Sequence, residues 1–194
     1  MPRTKTAVLI SGRGSNLQAL IDACARADFP AEIALVISNV AEAEGLVRAK
    51  AAHIATHVIS HKDFASRETF DAAVDTALRT AGIEIVCLAG FMRILSDTFV
   101  TAWEGRLINI HPSLLPAFKG TNVHQRTLDA GVTESGCTVH FVVPELDSGP
   151  IIAQAKVPVE KNDTVETLAA RILAAEHALY PEGLRQVSSG AVKL

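Results

Sequence analysis

The stretch TAVLISGRGSNLQALIDACARA, residues 6–27, decides the fold. Its opening apolar run, stopped by glycine, predicts a strand over 6–11. From Asn16 onward Leu17, Leu20, Ile21 and Cys24 recur at helical spacing. Strand, glycine loop and helix in that order form the first half of a βαβ unit. The pattern recurs along the chain. AEIALVIS (31–38), ATHVIS (55–60) and IEIVCLAG (83–90) read as strands, with helices near 41–52 and 63–81, the second carrying Phe70, Val74 and Leu78 in phase. Runs apolar at nearly every position suit parallel strands covered on both faces. Beyond residue 100, GRLINI (105–110), GCTVHFVV (136–143) and IIAQAKVPV (151–159) are separated by loops rich in proline and glycine. The last two alternate polar with apolar residues, which predicts an antiparallel extension. A final helix is expected from an N-cap at Thr164, with Glu166 close behind it, to about Val187. The predicted fold is α/β, a doubly wound and mostly parallel sheet with an antiparallel C-terminal extension, in a single domain over residues 1–194.

Composition narrows the function. The chain has 194 residues, 48% apolar and 20% charged, with a net charge of −3 and scattered basic residues. It therefore carries no electrostatic footprint for nucleic acid or an anionic membrane, and small-molecule partners are expected. Cys24, Cys87 and Cys137 are far apart and form no CxxC pair, as in reduced structural cysteines of a cytoplasmic protein. No apolar run reaches the roughly 18–20 residues of a membrane span.

In doubly wound sheets ligands sit beyond the C-terminal ends of the strands, so the motifs should fall there. SGRGSN (11–16) links the first strand to the first helix, where free N–H groups and the helix dipole favour an anion. It lacks the lysine of a Walker A loop, and Leu17 stands where a dinucleotide fingerprint has its third glycine. A phosphate monoester fits better than ATP or NAD; an ordinary tight turn capped by Ser15 or Asn16 is the alternative. In LINIHPSLLPAFKG (107–120), Asn109 and His111 flank Ile110 and so point to one side of an extended segment, both able to donate to a developing oxyanion. Pro112 and Pro116 restrict the backbone beyond them. The acidic turn ELDSGP (145–150) offers Asp147 to orient His111 and favour its charged form, or else a plain Asx turn. Glu176 lies within the apolar stripe of Val165, Leu168, Ile172 and Leu179, an unexpected place for a carboxylate unless it binds something or pairs with a basic residue. His53, His57 and His61 recur every four residues but pass from a helix end into a strand, which scatters them, so no metal site is expected.

VLISGRGSNLQALIDA (8–23), CLAGFMRILS (87–96), NIHPSLLP (109–116), GCTVHFVVPELDSGPII (136–152) and AEHALYP (175–181) together resemble the folate-dependent glycinamide ribonucleotide formyltransferases, over nearly the whole chain. The resemblance implies a Rossmann-like formyltransferase fold. It also implies formyl transfer from 10-formyltetrahydrofolate to the amine of glycinamide ribonucleotide in purine biosynthesis, without metal, by a monomer or homodimer. It assigns Asn109, His111 and Asp147 to catalysis, and Gly12, Arg13, Gly14, Ser15, Asn16 and Glu176 to the ribonucleotide. Met92, Arg93, Ile94, Leu95, Asn109 and Val143, Pro144, Glu145, Leu146 and Asp147 would line the folate pocket, with Arg67 meeting the folate's anionic tail. Where this chain reads AFKGTNVHQ (117–125), some relatives carry a Pro-Gly and a further histidine. That difference bears on the contacts of His124. Formyl transfer to another amine or to water is the enzymatic alternative; a folate- or nucleotide-binding module without catalysis is the other.

Overall fold

The structure is a computed structural model describing residues 2–194. Seven strands form one sheet: β1 (Thr4–Ile10), β2 (Ala31–Ser38), β3 (Ala55–Val58), β4 (Ile85–Leu88), β5 (Leu107–His111), β6 (Glu134–Phe141) and β7 (Ile151–Pro158). Their order across the sheet is β3-β2-β1-β4-β5-β6-β7. The first five are parallel, and β6 and β7 run antiparallel to their neighbours. The expected doubly wound sheet with an antiparallel extension is what is found.

Six helices cover it: α1 (Ser15–Cys24), α2 (Glu44–Ala51), α3 (Arg67–Thr80), α4 (Asp97–Ala102), α5 (Val123–Asp129) and α6 (Val165–Ser188). The alternation along β1 explains the two layers. Val8 and Ile10 pack with Leu17 and Leu20 of α1 and with Leu168, Ile172 and Tyr180 of α6. Ala7 and Leu9 face Phe70, Val74 and Leu78 of α3 and Phe99 of α4. Successive residues thus feed opposite cores, which is why the run is apolar throughout.

Thr164 caps α6, as expected, in a capping box closed by Thr167. Other boundaries move. β3 and β4 stop at Val58 and Leu88, short of the predicted 60 and 90, and α3 begins at Arg67 after a 3-10 turn over His61–Asp63. Short helices α4 and α5 lie in segments whose apolar periodicity spans too few turns to register. The chain winds outward from β1 through β2 to β3, then crosses back to β4. The topological switch point therefore lies between β1 and β4, where the loops after the two strands diverge and leave a crevice.

Candidate active site

The loop after β1 enters that crevice first. Gly14 is the N-cap of α1, with φ 71° and ψ 31°, and no side chain caps the helix. The alternative, an ordinary turn capped by Ser15 or Asn16, is not found: both lie in the first turn, and the left-handed turn belongs to glycine. The first intrahelical bond runs from Gln18 N–H to the Gly14 carbonyl at 2.9 Å, so the N–H groups ahead of it are free for a ligand. Gly14 also sits against α2: a Cβ there would lie 2.6 Å from Gly45 Cα. The Gly45 N–H bonds the Gly12 carbonyl at 3.0 Å, and Arg48 Nε donates to the Arg13 carbonyl at 2.8 Å. A cleft of about 250 Å³ lies between residues 11–16 and Ala89, Gly90 and Met92.

Glu176 reaches this loop from α6. It is 7% exposed, and its Oε2 accepts from Asn16 Nδ2 at 2.7 Å. No basic residue pairs with it among the described residues, so pairing with a cation does not account for it. Burial pushes its carboxyl above the ordinary value, while the Asn16 bond pulls the other way. A buried carboxylate served by one amide keeps acceptor capacity for ligand hydroxyls.

On β5, Asn109 and His111 do lie on one side, and the antiparallel partner adds a residue to them. Asn109 stands opposite His140 across the β5–β6 ladder. Asn109 Nδ2 lies 3.3 Å from His140 Nε2, while His140 Nδ1 donates to the Phe141 carbonyl at 2.8 Å. Burial lowers the proton affinity of His140, so its ring is the neutral Nδ1–H form and Nε2 accepts from Asn109. Asn109 retains its second amide proton.

His111 is 5% exposed and held at both nitrogens. Nε2 donates to the Phe118 carbonyl at 2.9 Å, and Nδ1 faces Asp147 Oδ2 at 3.5 Å. With Nε2 donating, Nδ1 presents a proton to the carboxylate only when the ring is cationic. Asp147 itself has φ 48°, its Oδ2 accepts the Gly120 N–H at 2.8 Å, and its Oδ1 lies 3.9 Å from His140 Nε2. The loop beyond His111 hangs on the buried Thr138 of β6. Its hydroxyl donates to the Ser113 carbonyl at 2.7 Å, accepts the Leu115 N–H at 3.1 Å and meets Gln154 Nε2 at 3.0 Å.

The remaining candidates are more dispersed. Met92 and Ile94 are 76% and 65% exposed, an apolar surface beside the cleft, and Arg93 is exposed beside them. Leu95 turns into the core with Phe99 and Trp103, so it offers a pocket only its backbone. Val143 is half-buried, and Pro144, Glu145 and Leu146 are exposed on the loop that ends at Asp147. Arg67 is exposed at the start of α3, one turn before Phe70, whose ring stacks on Phe91 with centroids 6.4 Å apart. His124, at the start of α5, lies near enough to His111 to feel its charge, although burial is the larger cause of its lowered proton affinity. The thiols of Cys24 and Cys137 are each pushed up to about 12 by burial, which removes them as nucleophiles. Among the described residues no group of three His, Cys, Asp or Glu side chains is placed to hold a metal ion, and no helix is long and apolar enough to cross a membrane. Sequence reading missed Gly45 and Thr138; His140 could be expected to approach the site, but its pairing with Asn109 could not. Only the alternation of Thr138 and His140 along β6 was there to be seen.

A family model described as formyl transferase matches residues 4–184. The chain belongs to the formyl transferase family. Within it, the chain is 48% identical over 187 residues to the phosphoribosylglycinamide formyltransferase of Escherichia coli, covering 96% of this chain and 88% of that protein. It is 55% identical over 192 residues to the trifunctional purine biosynthetic protein adenosine-3 of Bos taurus, covering 99% of this chain but only 19% of that protein. The crystal structure of a phosphoribosylglycinamide formyltransferase from Brucella melitensis superposes with a TM-score of 0.93 at 54% identity, covering 98% of both chains. In this formyl transferase the helix N-terminus, Glu176 and the Asn109–His111–Asp147 cluster all meet at one end of the sheet.

Proposed function

We propose that this formyl transferase moves the formyl group of 10-formyltetrahydrofolate to the primary amine of glycinamide ribonucleotide, a step of purine biosynthesis. The acceptor's phosphate sits on the free N–H groups of Gly14, Ser15 and Asn16, with Gly12 and Arg13 beside it, and its ribose hydroxyls bind Glu176. The folate's ring lies between residues 92–95 and 143–147, with its anionic tail toward Arg67.

The neutral amine attacks the formyl carbon, forming the new C–N bond and leaving the negative charge on the formyl oxygen. The free Asn109 N–H and the cationic His111 ring stabilise that charge; for this, the His111 ring swings so that its Nε2–H leaves the Phe118 carbonyl and donates to the oxyanion. Collapse breaks the bond to the folate nitrogen, which takes the proton released by the amine through water held at Asp147. The observation that carries the reading is the packing of Asp147 against His111 at 3.5 Å, on the strand that also presents Asn109.

The test is steady-state formyl transfer by wild type and Asp147→Asn, followed by absorbance of the folate product. Wild type should turn over, and Asp147→Asn should lose roughly 10²–10⁴-fold in kcat. An Asp147→Asn enzyme retaining most of its kcat sinks the mechanism, and a wild type inert toward this amine sinks the acceptor.

A further inference from the structure

Between Ala89, whose N–H bonds the Leu9 carbonyl at 2.9 Å, and Ser96, whose N–H bonds Asp71 Oδ2 at 2.6 Å, lie six residues, of which Gly90 and Met92 line the cleft. Among the described residues they make a single hydrogen bond, from the Met92 N–H to Ser11 Oγ at 2.8 Å. Ser11 is also the residue from which the phosphate loop departs. One hydroxyl therefore joins the two walls of the 250 Å³ cleft.

That hydroxyl is oriented from behind. Its proton goes to Oδ1 of Asn39 at 2.6 Å, which leaves its lone pairs to accept Met92. Asn39 is 5% exposed and fixed in turn by His61, whose Nδ1 accepts from Asn39 Nδ2 at 3.2 Å. The chain Met92–Ser11–Asn39–His61 crosses the C-terminal ends of β4, β1, β2 and β3 in their order across the sheet. Each of the three links pairs one donor with one acceptor, running from Met92 to His61, so the line has a direction as well as a length.

We propose that Ser11, oriented by Asn39 and His61, is a strap that fixes the gap between the two walls, making it a positioning residue for both substrates. The inference rests on the proposed function for the identity of those substrates. Without the hydroxyl, the Met92 wall, held otherwise by Phe91 and Leu95 packed on the core, loses its one hydrogen bond and Asn39 Oδ1 loses its donor, so the gap at Met92 widens while the groups on β5 stay where they are. The strap should govern binding and leave chemistry in the bound complex nearly intact.

The test is calorimetric binding of a non-reactive 5,8-dideazafolate analogue of the donor, and separately of glycinamide ribonucleotide, together with steady-state kinetics. Wild type, Ser11→Ala, His61→Leu and His61→Asn are compared, the last because an asparagine oxygen can replace Nδ1 as acceptor. Ser11→Ala should bind the analogue about tenfold more weakly and the ribonucleotide several-fold more weakly, while kcat at saturation stays within about threefold of wild type. His61→Leu should show a smaller loss that His61→Asn restores. A merely structural role would reduce kcat through the active fraction and leave affinity unchanged. Ser11→Ala binding both ligands within about twofold of wild type overturns the strap. Wild type that binds the analogue but does not formylate the ribonucleotide overturns the functional reading, while the analogue arm still decides the strap. Wild type that binds neither ligand overturns both.

Discussion

Replacing Gly14 by alanine places one methyl group under two constraints at once. At φ 71° a Cβ carries the left-handed penalty, about 1–2 kcal/mol. The same carbon would stand 2.6 Å from Gly45 Cα, well inside contact distance, and the obstacle is backbone that only a shift of α2 can relieve. Overpacking of that kind costs about 1–3 kcal/mol. The narrower freedom of an unfolded alanine offsets about 0.4–1 kcal/mol. The middle of these ranges leaves about 3 kcal/mol, or a fall in Tm of roughly 6–12 °C for a chain of this size. Gly12 is the internal control. Nothing lies within 4 Å of a Cβ there, and its φ is outside the left-handed region, so Gly12→Ala should melt within about 2 °C of wild type. Thermal unfolding by circular dichroism measures both. Because Gly14 sets the direction of the first-turn N–H groups, its variant should also show a raised KM for the ribonucleotide. A Gly14→Ala protein melting with wild type, or a Gly12→Ala protein losing as much, would refute the argument that close approach to α2 shapes the loop.

Two further substitutions separate stability from binding. Burial raises the folded-state pKa of Glu176 above its ordinary 4.5, so the stability linked to its proton is full below the unfolded value and lost as pH rises through the folded one. Glu176→Gln should therefore resist urea better than wild type at pH 7, with the gain shrinking toward pH 4, while KM for the ribonucleotide rises about tenfold; equal stability at both pH values refutes the linkage. Thr138→Val keeps the side chain's shape but strands the Leu115 N–H and the Ser113 carbonyl, which should cost about 2–4 kcal/mol in urea unfolding. Leu115 should then exchange its amide proton faster, whereas Thr138→Ser should behave as wild type.

The parallel half of the fold was legible because its strands feed two cores, and a residue buried on either face leaves an apolar letter in the sequence. The ends of those strands were less so. Ala89 is buried and apolar, yet it lies beyond β4, where the backbone has already left the ladder. Asn109 and His111 were readable from alternation within one strand. The partnership of Asn109 with His140 was not, because it depends on the register of an antiparallel strand 31 residues away. Gly45 was hidden for a similar reason: a Cβ there would lie 2.5 Å from Ile10 Cδ1 and 3.2 Å from Gly14 Cα, neighbours that approach it only after α2 has docked. Leu95 illustrates the reverse case, since an apolar letter in a binding motif cannot say whether its side chain faces ligand or core.

The hydrogen bond between Asn16 and Glu176 joins residues 160 positions apart, and that separation has a consequence for biosynthesis. A chain emerging N-terminus first presents its glycine loop early, but Glu176, proposed to complete the acceptor pocket, arrives only with α6. At roughly 5–20 residues per second the loop waits about 8–32 s for its partner. A nascent chain released before α6 is translated would have both the glycine turn and the Asn109–His111 strand, yet would lack the carboxylate proposed to read a ribose.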